Sequence, residues 1–203
     1  MEHIRSNLLL DLGGVLVGAD HAKAVQAFCA LTNNTTQAVK SAIYESGLSG
    51  RLELGELNAS RFRAAVCRRL GANLTSKQFD EAWCAALFEL DQTEALLKRF
   101  ANERDLYMLS NTNSIHFEAV CSLFPSWIGL FKGFHLSYEV GLAKPSPTYF
   151  EAALARFALV KEACVFLDDS PENVHSAEAT GIRAYRVGPA GLVVDDLREW
   201  GLA

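Results

Sequence analysis

Leu8-Leu9-Leu10-Asp11-Leu12-Gly13-Gly14-Val15-Leu16 reads as a short buried strand of leucines, ended by Asp11 and followed by a glycine pair that lets the backbone turn sharply. A carboxylate at the carboxyl end of a parallel strand lies on the sheet edge where open α/β proteins bind ligands, which makes Asp11 a candidate reactive group. Taken alone, the segment is better read as a turn aspartate after a core strand.

Beyond Leu90 the chain alternates strand and helix. Thr93 to Phe100 is helical, and Leu106-Tyr107-Met108-Leu109 is an apolar strand ending at Ser110-Asn111-Thr112-Asn113. Ser114 caps a helix from Ile115 to Phe124, stopped by Pro125. Phe134-His135-Leu136-Ser137 is the next strand, followed by Gly141-Leu142-Ala143-Lys144-Pro145, after which Ser146-Pro147 opens a helix through Phe157. Cys164-Val165-Phe166-Leu167 is a strand ending at Asp168-Asp169, Ser170-Pro171 opens a helix that stops at Gly181, and Ala184-Tyr185-Arg186-Val187 completes the series. Strands separated by helices imply right-handed crossovers, hence an α/β fold with a parallel sheet covered by helices on both faces.

Between Ala22 and Leu90 the pattern predicts helices only. Asn34 or Thr35 caps one carrying Val39, Ile43 and Tyr44; Asn58 caps one with Phe62, Val66 and Leu70, closed by Gly71; Thr75 and Gln78 make a capping box for one bearing Phe79, Trp83 and Leu87. Together they predict a small helical bundle. The glycine-punctuated stretch from Ser46 to Leu57 reads as a loop, either a plain helix connection or a segment facing a substrate.

The 203 residues are half hydrophobic, with 24 acidic against 19 basic residues and a net charge of −5. No run of Lys or Arg stands out, which argues against nucleic-acid binding but leaves room for a small anionic substrate. Five widely spaced cysteines without a Cys-x-x-Cys pair support neither a disulfide framework nor a zinc site and fit a reducing compartment. Asp11 interrupts the N-terminal apolar run and no long uncharged apolar stretch follows, so neither a signal peptide nor a membrane span is expected; the expected location is the cytoplasm. His3, His135 and His175 read as surface or strand-end residues, Trp83 and the phenylalanines as core, and Trp127 as a residue that lines a domain interface or packs.

Asp11, Ser110 and Asp168-Asp169 each follow an apolar strand directly, and Lys144 follows a fourth in a loop. In a parallel sheet these ends share one edge, so three carboxylates, a hydroxyl and an ammonium converge from distant positions. Clustered carboxylates resist joint ionisation unless a cation lies among them, and Mg²⁺ suits a few carboxylate and carbonyl oxygens plus water. A metal that also touches a phosphate oxygen would let Asp11 approach a phosphoryl group as a nucleophile, with Ser110 donating a hydrogen bond and Lys144 supplying positive charge.

Asp11-x-Gly13-Gly14-Val15, Leu109-Ser110-Asn111, Lys144-Pro145 and Asp168-Asp169-x-x-x-Asn173, in that order, resemble the four motifs of the haloacid dehalogenase-like hydrolase superfamily. Within it the chain is similar to bacterial sugar-phosphate phosphatases of the glucose-1-phosphate type, which share the Asp-Leu-Gly and Ser-Asn-Thr-Asn segments. The resemblance implies a Rossmann-like core at residues 1–17 and 91–203, a helical cap at 18–90, Mg²⁺ dependence and an aspartyl-phosphate intermediate. It makes Asp11 nucleophile and metal ligand, the Gly13 carbonyl and Asp169 further ligands, and Asp168 the holder of a metal-bound water. Ser110, Asn111 and Lys144 would bind the phosphoryl group, Asn173 would orient the acidic loop, and the cap loop with Arg51 and Glu56 would read the organic part of a small phosphorylated substrate. His116 faces either substrate or core.

One departure bears on the chemistry. Phosphatases of the superfamily carry an acid/base aspartate two residues after the nucleophile; here that residue is Gly13. About 10²–10⁴-fold in rate rests on such a group. Solvent, Asp20, His21 or His116 could replace it. Alternatively the chain is a 2-haloacid dehalogenase, whose halide leaves unprotonated, or an impaired ligand-binding protein on an enzyme's scaffold. The Asp168-Asp169 pair favours the phosphatase, because a metal-independent dehalogenase has no use for it.

Overall fold

The computed structural model describes residues 7–202, so His3 and the first six residues of the expected core segment lie outside it. From β1 (Asn7–Leu10) the chain passes through a short β2 (Val17–Ala19) into the helices α1 (His21–Thr32), α2 (Thr36–Lys40), α3 (Leu48–Glu53), α4 (Ala59–Leu70) and α5 (Ser76–Cys84). A π turn at Ser41–Glu45 continues α2. The chain leaves the helices through β3 (Leu87–Glu89) and continues as α6 (Thr93–Glu103), β4 (Asp105–Ser110), α7 (Ser114–Leu123), α8 (Pro125–Ile128), β5 (Phe131–Leu136) and α9 (Ser137–Val140). Last come α10 (Pro147–Phe157), β6 (Cys164–Asp168), α11 (Pro171–Ala179), β7 (Arg183–Arg186) and α12 (Val194–Glu199).

The main sheet is parallel throughout, in the order β5-β4-β1-β6-β7. β1 is central and buried on both faces, which explains why it reads as a leucine run without alternation. Leu8 and Leu10 pack with Leu96, Leu97 and Phe100 of α6, Val120 of α7 and Leu197 of α12. Leu9 points the other way, into Tyr149, Phe150 and Ala153 of α10 and Ala177 of α11. Helices therefore cover both faces, as the alternation of strand and helix predicts. From β1 the strand order runs outward through β4 to β5, then jumps back to β6 on the other side, so the order reverses beside β1. Crevices that bind ligands form at such reversals.

The bundle has its own core: Phe28, Ile43, Phe62, Phe79 and Trp83 pack together, and Ile115 of α7 joins them from the sheet side. Its helices start where local chemistry dictates. Asp20, Thr35 and Asn58 cap α1, α2 and α4; Thr75 and Gln78 form the capping box of α5; and Gly71 closes α4 in the left-handed conformation.

Several expectations need correction. The glycine-rich stretch is not all loop, because it holds α3. Gly47 enters that helix at φ +74° and Gly50 sits inside it at a cost of about 1 kcal/mol relative to alanine. Burial of Leu48 and Leu52, four residues apart on one face, opposes that cost. The stretch to Leu90 is not helices only, since Leu87 lies in β3, which pairs antiparallel with β2. Both crossings between sheet and bundle thus run in one two-stranded ribbon, where the Phe88 ring lies so close over Gly18 that a Cβ there would collide. Asn113, not Ser114, caps α7; that helix ends at Leu123, and Pro125 opens α8 rather than a loop. His135 is buried near the end of β5 against Tyr149 and is not a surface residue, while His175 is exposed and Trp127 packs in the core. Among the described residues no helix is long and apolar enough to cross a membrane.

Candidate active site

Strand register decides which residues meet. Leu10 lies opposite Met108 on one side and Leu167 on the other, and the Asp11 amide continues the ladder by donating to the Leu167 carbonyl at 3.0 Å. Asp11 therefore stands level with Asp168, and Ser110 ends the strand on its other side. Asp11 and Ser110 open onto a cavity of about 330 Å³ between sheet and bundle, lined also by Gly13, Asn111 and Asp169 from the sheet side and Glu53 from the bundle.

Lys144 lies at the centre of the buried charges. Its ammonium donates to the Leu109 carbonyl (2.9 Å), Asp11 Oδ1 (2.8 Å) and Asp168 Oδ2 (2.6 Å), and it is 4 % exposed, against 8 % for Asp11 and 0 % for Asp168. All three ammonium protons are committed, so a phosphoryl oxygen would feel its charge or displace one of these partners. Burial pushes the Asp11 carboxyl up to about 7; Lys144 opposes that rise and neighbouring Asp168 adds to it. Burial and the Asp168 charge also raise Asp169.

Carboxylate oxygens of Asp11, Asp168 and Asp169 lie within 4.8 Å of one another. Three carboxylates against one ammonium leave negative charge that a hard divalent cation would balance, and an all-oxygen donor set fits Mg²⁺. The members differ in what they can still bind. Asp168 Oδ1 accepts from Ser170 N (2.8 Å) and Asn173 Nδ2 (2.9 Å), so this carboxylate is held on both sides. On Asp11, both Leu12 N (2.7 Å) and Lys144 fall on Oδ1. Asn111 lines the cavity, but its amide clamps the Lys144 peptide, donating to its carbonyl (2.8 Å) and accepting from its N–H (2.9 Å). Its side chain positions Lys144.

The bundle side departs further from the sequence expectations. Arg51 and Glu56 do not line the cavity; they pair with each other at 3.2 Å on the surface, 52 % and 54 % exposed. Glu53, between them, does line it. His116 borders the cavity yet is fully engaged: it stacks on Trp83 (4.8 Å between centroids, 13°), with Nε2 3.2 Å from the Trp83 carbonyl and Nδ1 3.2 Å from Asn113 Nδ2. Those contacts define the neutral tautomer that donates from Nε2 and accepts at Nδ1, and burial pushes its pKa down to about 4. No local signal marked Glu53: it lies five residues before Asn58, which caps α4, and the surrounding glycines concealed the helix that aims it.

Gly14 has φ +77°, and a Cβ there would fall on the Asp169 carboxylate. Gly14→Ala is therefore expected to raise the Mg²⁺ concentration needed for half-maximal activity by about 10–100-fold, the scale of lost ligand support. A Mg²⁺ titration of wild type and variant checks it.

A family model for haloacid dehalogenase-like hydrolases matches residues 7–181. The chain is 28 % identical over 188 residues to D-ribitol-5-phosphate phosphatase of Bacteroides thetaiotaomicron, covering 89 % of this chain and 90 % of that protein. A crystal structure of a HAD family enzyme from the same organism, in complex with magnesium and inorganic phosphate, superposes with a TM-score of 0.84 at 30 % identity, covering 95 % of this chain and 98 % of the other. L-2-haloacid dehalogenase from Xanthobacter autotrophicus, with chloropropionic acid covalently bound, shares the fold at a TM-score of 0.64 and 16 % identity, covering 98 % of this chain and 84 % of the other.

Proposed function

The chain belongs to the haloacid dehalogenase-like hydrolases, and on that premise we propose that it is an Mg²⁺-dependent phosphatase of a small phosphorylated metabolite, a sugar or sugar-alcohol phosphate. The observation that carries this reading is the cluster of Asp11, Asp168 and Asp169, the first two buried and paired with Lys144 and the third exposed beside them. Asp11, Asp169 and the Gly13 carbonyl would hold Mg²⁺, with Asp168 reaching it through water. The ion would neutralise phosphoryl oxygens beside carboxylates that otherwise repel them. The relative named as a D-ribitol-5-phosphate phosphatase supports a polyol as the organic part.

Asp11, fixed by Leu12 N and Lys144, attacks phosphorus and takes the phosphoryl group as an aspartyl phosphate; water then releases phosphate and regenerates the carboxylate. Ser110 binds a phosphoryl oxygen, and Lys144 draws the developing charge while holding Asp11 and Asp168. Residues 18–90 act as a cap that closes the cavity about the β2–β3 ribbon, and 1–17 with 91–203 form the catalytic core. The free state of all five cysteines supports work in the reducing cytoplasm.

Phosphate release from a panel of sugar and sugar-alcohol phosphates, with Mg²⁺ and with EDTA, tests the proposal. Release with Mg²⁺ that falls to background with EDTA is expected. Chloride release from a 2-chloro acid without phosphate release would replace it with the dehalogenase, and neither product with retained Mg²⁺ binding would leave a binding protein.

A further inference from the structure

Position 13 offers no group to protonate a leaving oxygen, and the nearest stand-ins by sequence do not supply one. Asp20 caps α1, accepting from Ala22 N at 2.9 Å, and does not line the cavity. His116 has both ring nitrogens engaged and stays neutral. His21 borders the cavity but stands exposed on the first turn of α1, edge-on to Tyr44.

Glu53 differs from all three. It ends α3 partly buried, in the wall of the cavity that Asp11 and Gly13 also line. Among the described residues it has neither a hydrogen bond nor an ion pair, an expensive state for a desolvated carboxylate without a task. Its backbone is pinned to the sheet side. Two residues on, Gly55 has φ +72° and lies so close to the Tyr138 carbonyl that a Cβ would collide, which seats this turn of the bundle on the core.

We propose that Glu53 is the acid/base group of the phosphatase, reaching the substrate's ester oxygen from the bundle side in place of the side chain absent at Gly13. The inference rests on the phosphatase reading. As the Asp11–phosphorus bond forms and the ester P–O bond breaks, the Glu53 carboxyl gives its proton to the departing oxygen, which leaves as an alcohol. The resulting carboxylate then takes a proton from the water that attacks phosphorus as the Asp11–phosphorus bond breaks, and the acid is restored. Burial alone pushes the Glu53 carboxyl up to about 7, where both forms are populated near neutrality. Burial, and after it the same Glu53 charge, lifts the neighbouring Tyr44 hydroxyl to about 12.

Leaving-group dependence tests this. Wild type and Glu53→Gln are compared on ribitol 5-phosphate, whose alkoxide needs a proton, and on p-nitrophenyl phosphate, whose phenolate does not. The expected result is a fall in kcat/KM, which reports the leaving-group step and not the later hydrolysis common to both esters, of about 10²–10⁴-fold on the alkyl ester and less than about tenfold on the aryl ester, which also reports that the variant is folded. Adding Gly13→Asp to Glu53→Gln should restore at least about tenfold on the alkyl ester. The space exists, since a Cβ at position 13 meets nothing closer than Ala19 Cβ at 3.9 Å. Equal losses in kcat/KM on both esters, no loss on the alkyl ester, or a selective loss in His21→Asn instead would overturn the assignment. Wild type inactive on both esters would overturn the phosphatase reading itself, and the role of Glu53 with it.

Discussion

Asp11→Asn should lower phosphate release by at least about 10⁴-fold, the scale on which removing a covalent nucleophile acts. The amide is nearly isosteric and keeps an oxygen to accept from Leu12 N and Lys144, so the loss is chemical rather than structural. It cannot form the bond to phosphorus, and it removes one of the three negative charges gathered at the edge of the sheet. Parallel assays with Mg²⁺, alongside a thermal melt showing the variant folded, check it. Activity within tenfold of wild type would remove Asp11 as nucleophile.

Lys144→Met should cost about 3–5 kcal/mol of stability as well as turnover, because it strands two buried carboxylates that share one cation. Methionine fills much the same volume, so the cost is electrostatic. The variant should also gain more stability from Mg²⁺ than wild type does, since a divalent cation would supply charge that the ammonium no longer provides. Denaturant unfolding of both proteins with and without Mg²⁺ measures these effects. A variant as stable as wild type in EDTA would show that the pairing of Lys144 contributes no net stability.

The sheet was legible because β1 and β6 are buried on both faces and so appear as apolar runs, and because β1, β4 and β6 end at polar residues that register then gathers at one edge. Ser110, Asp168 and Asp169 line up beside Asp11 for that reason alone. Local cues located the helix caps at Asn58 and Thr75, since capping is chemistry between residues three apart. What stayed hidden depends on contacts distant in sequence. α3 forms against its glycines because Leu48 and Leu52 find a core to enter, and only that helix turns Glu53 inward while sending Arg51 to the surface, where it pairs with Glu56 beyond the helix end. β2 and β3 are three residues each and exist through each other. The loss of free donors on Lys144 and Asn111 likewise arises from partners more than twenty residues away.

Val17 lies opposite Glu89 and Ala19 opposite Leu87 in the ribbon that joins sheet and bundle. The two ends of the helical insert are therefore one strand spacing apart, roughly 5 Å. An insert tethered at adjacent points imposes no stretch on its host: it can be lengthened, traded for one of another shape, or cut back to a hairpin turn without rethreading a strand of the sheet. Bundle and sheet can then vary independently, the exterior module changing in length or shape while β1 and β6 stay as they are.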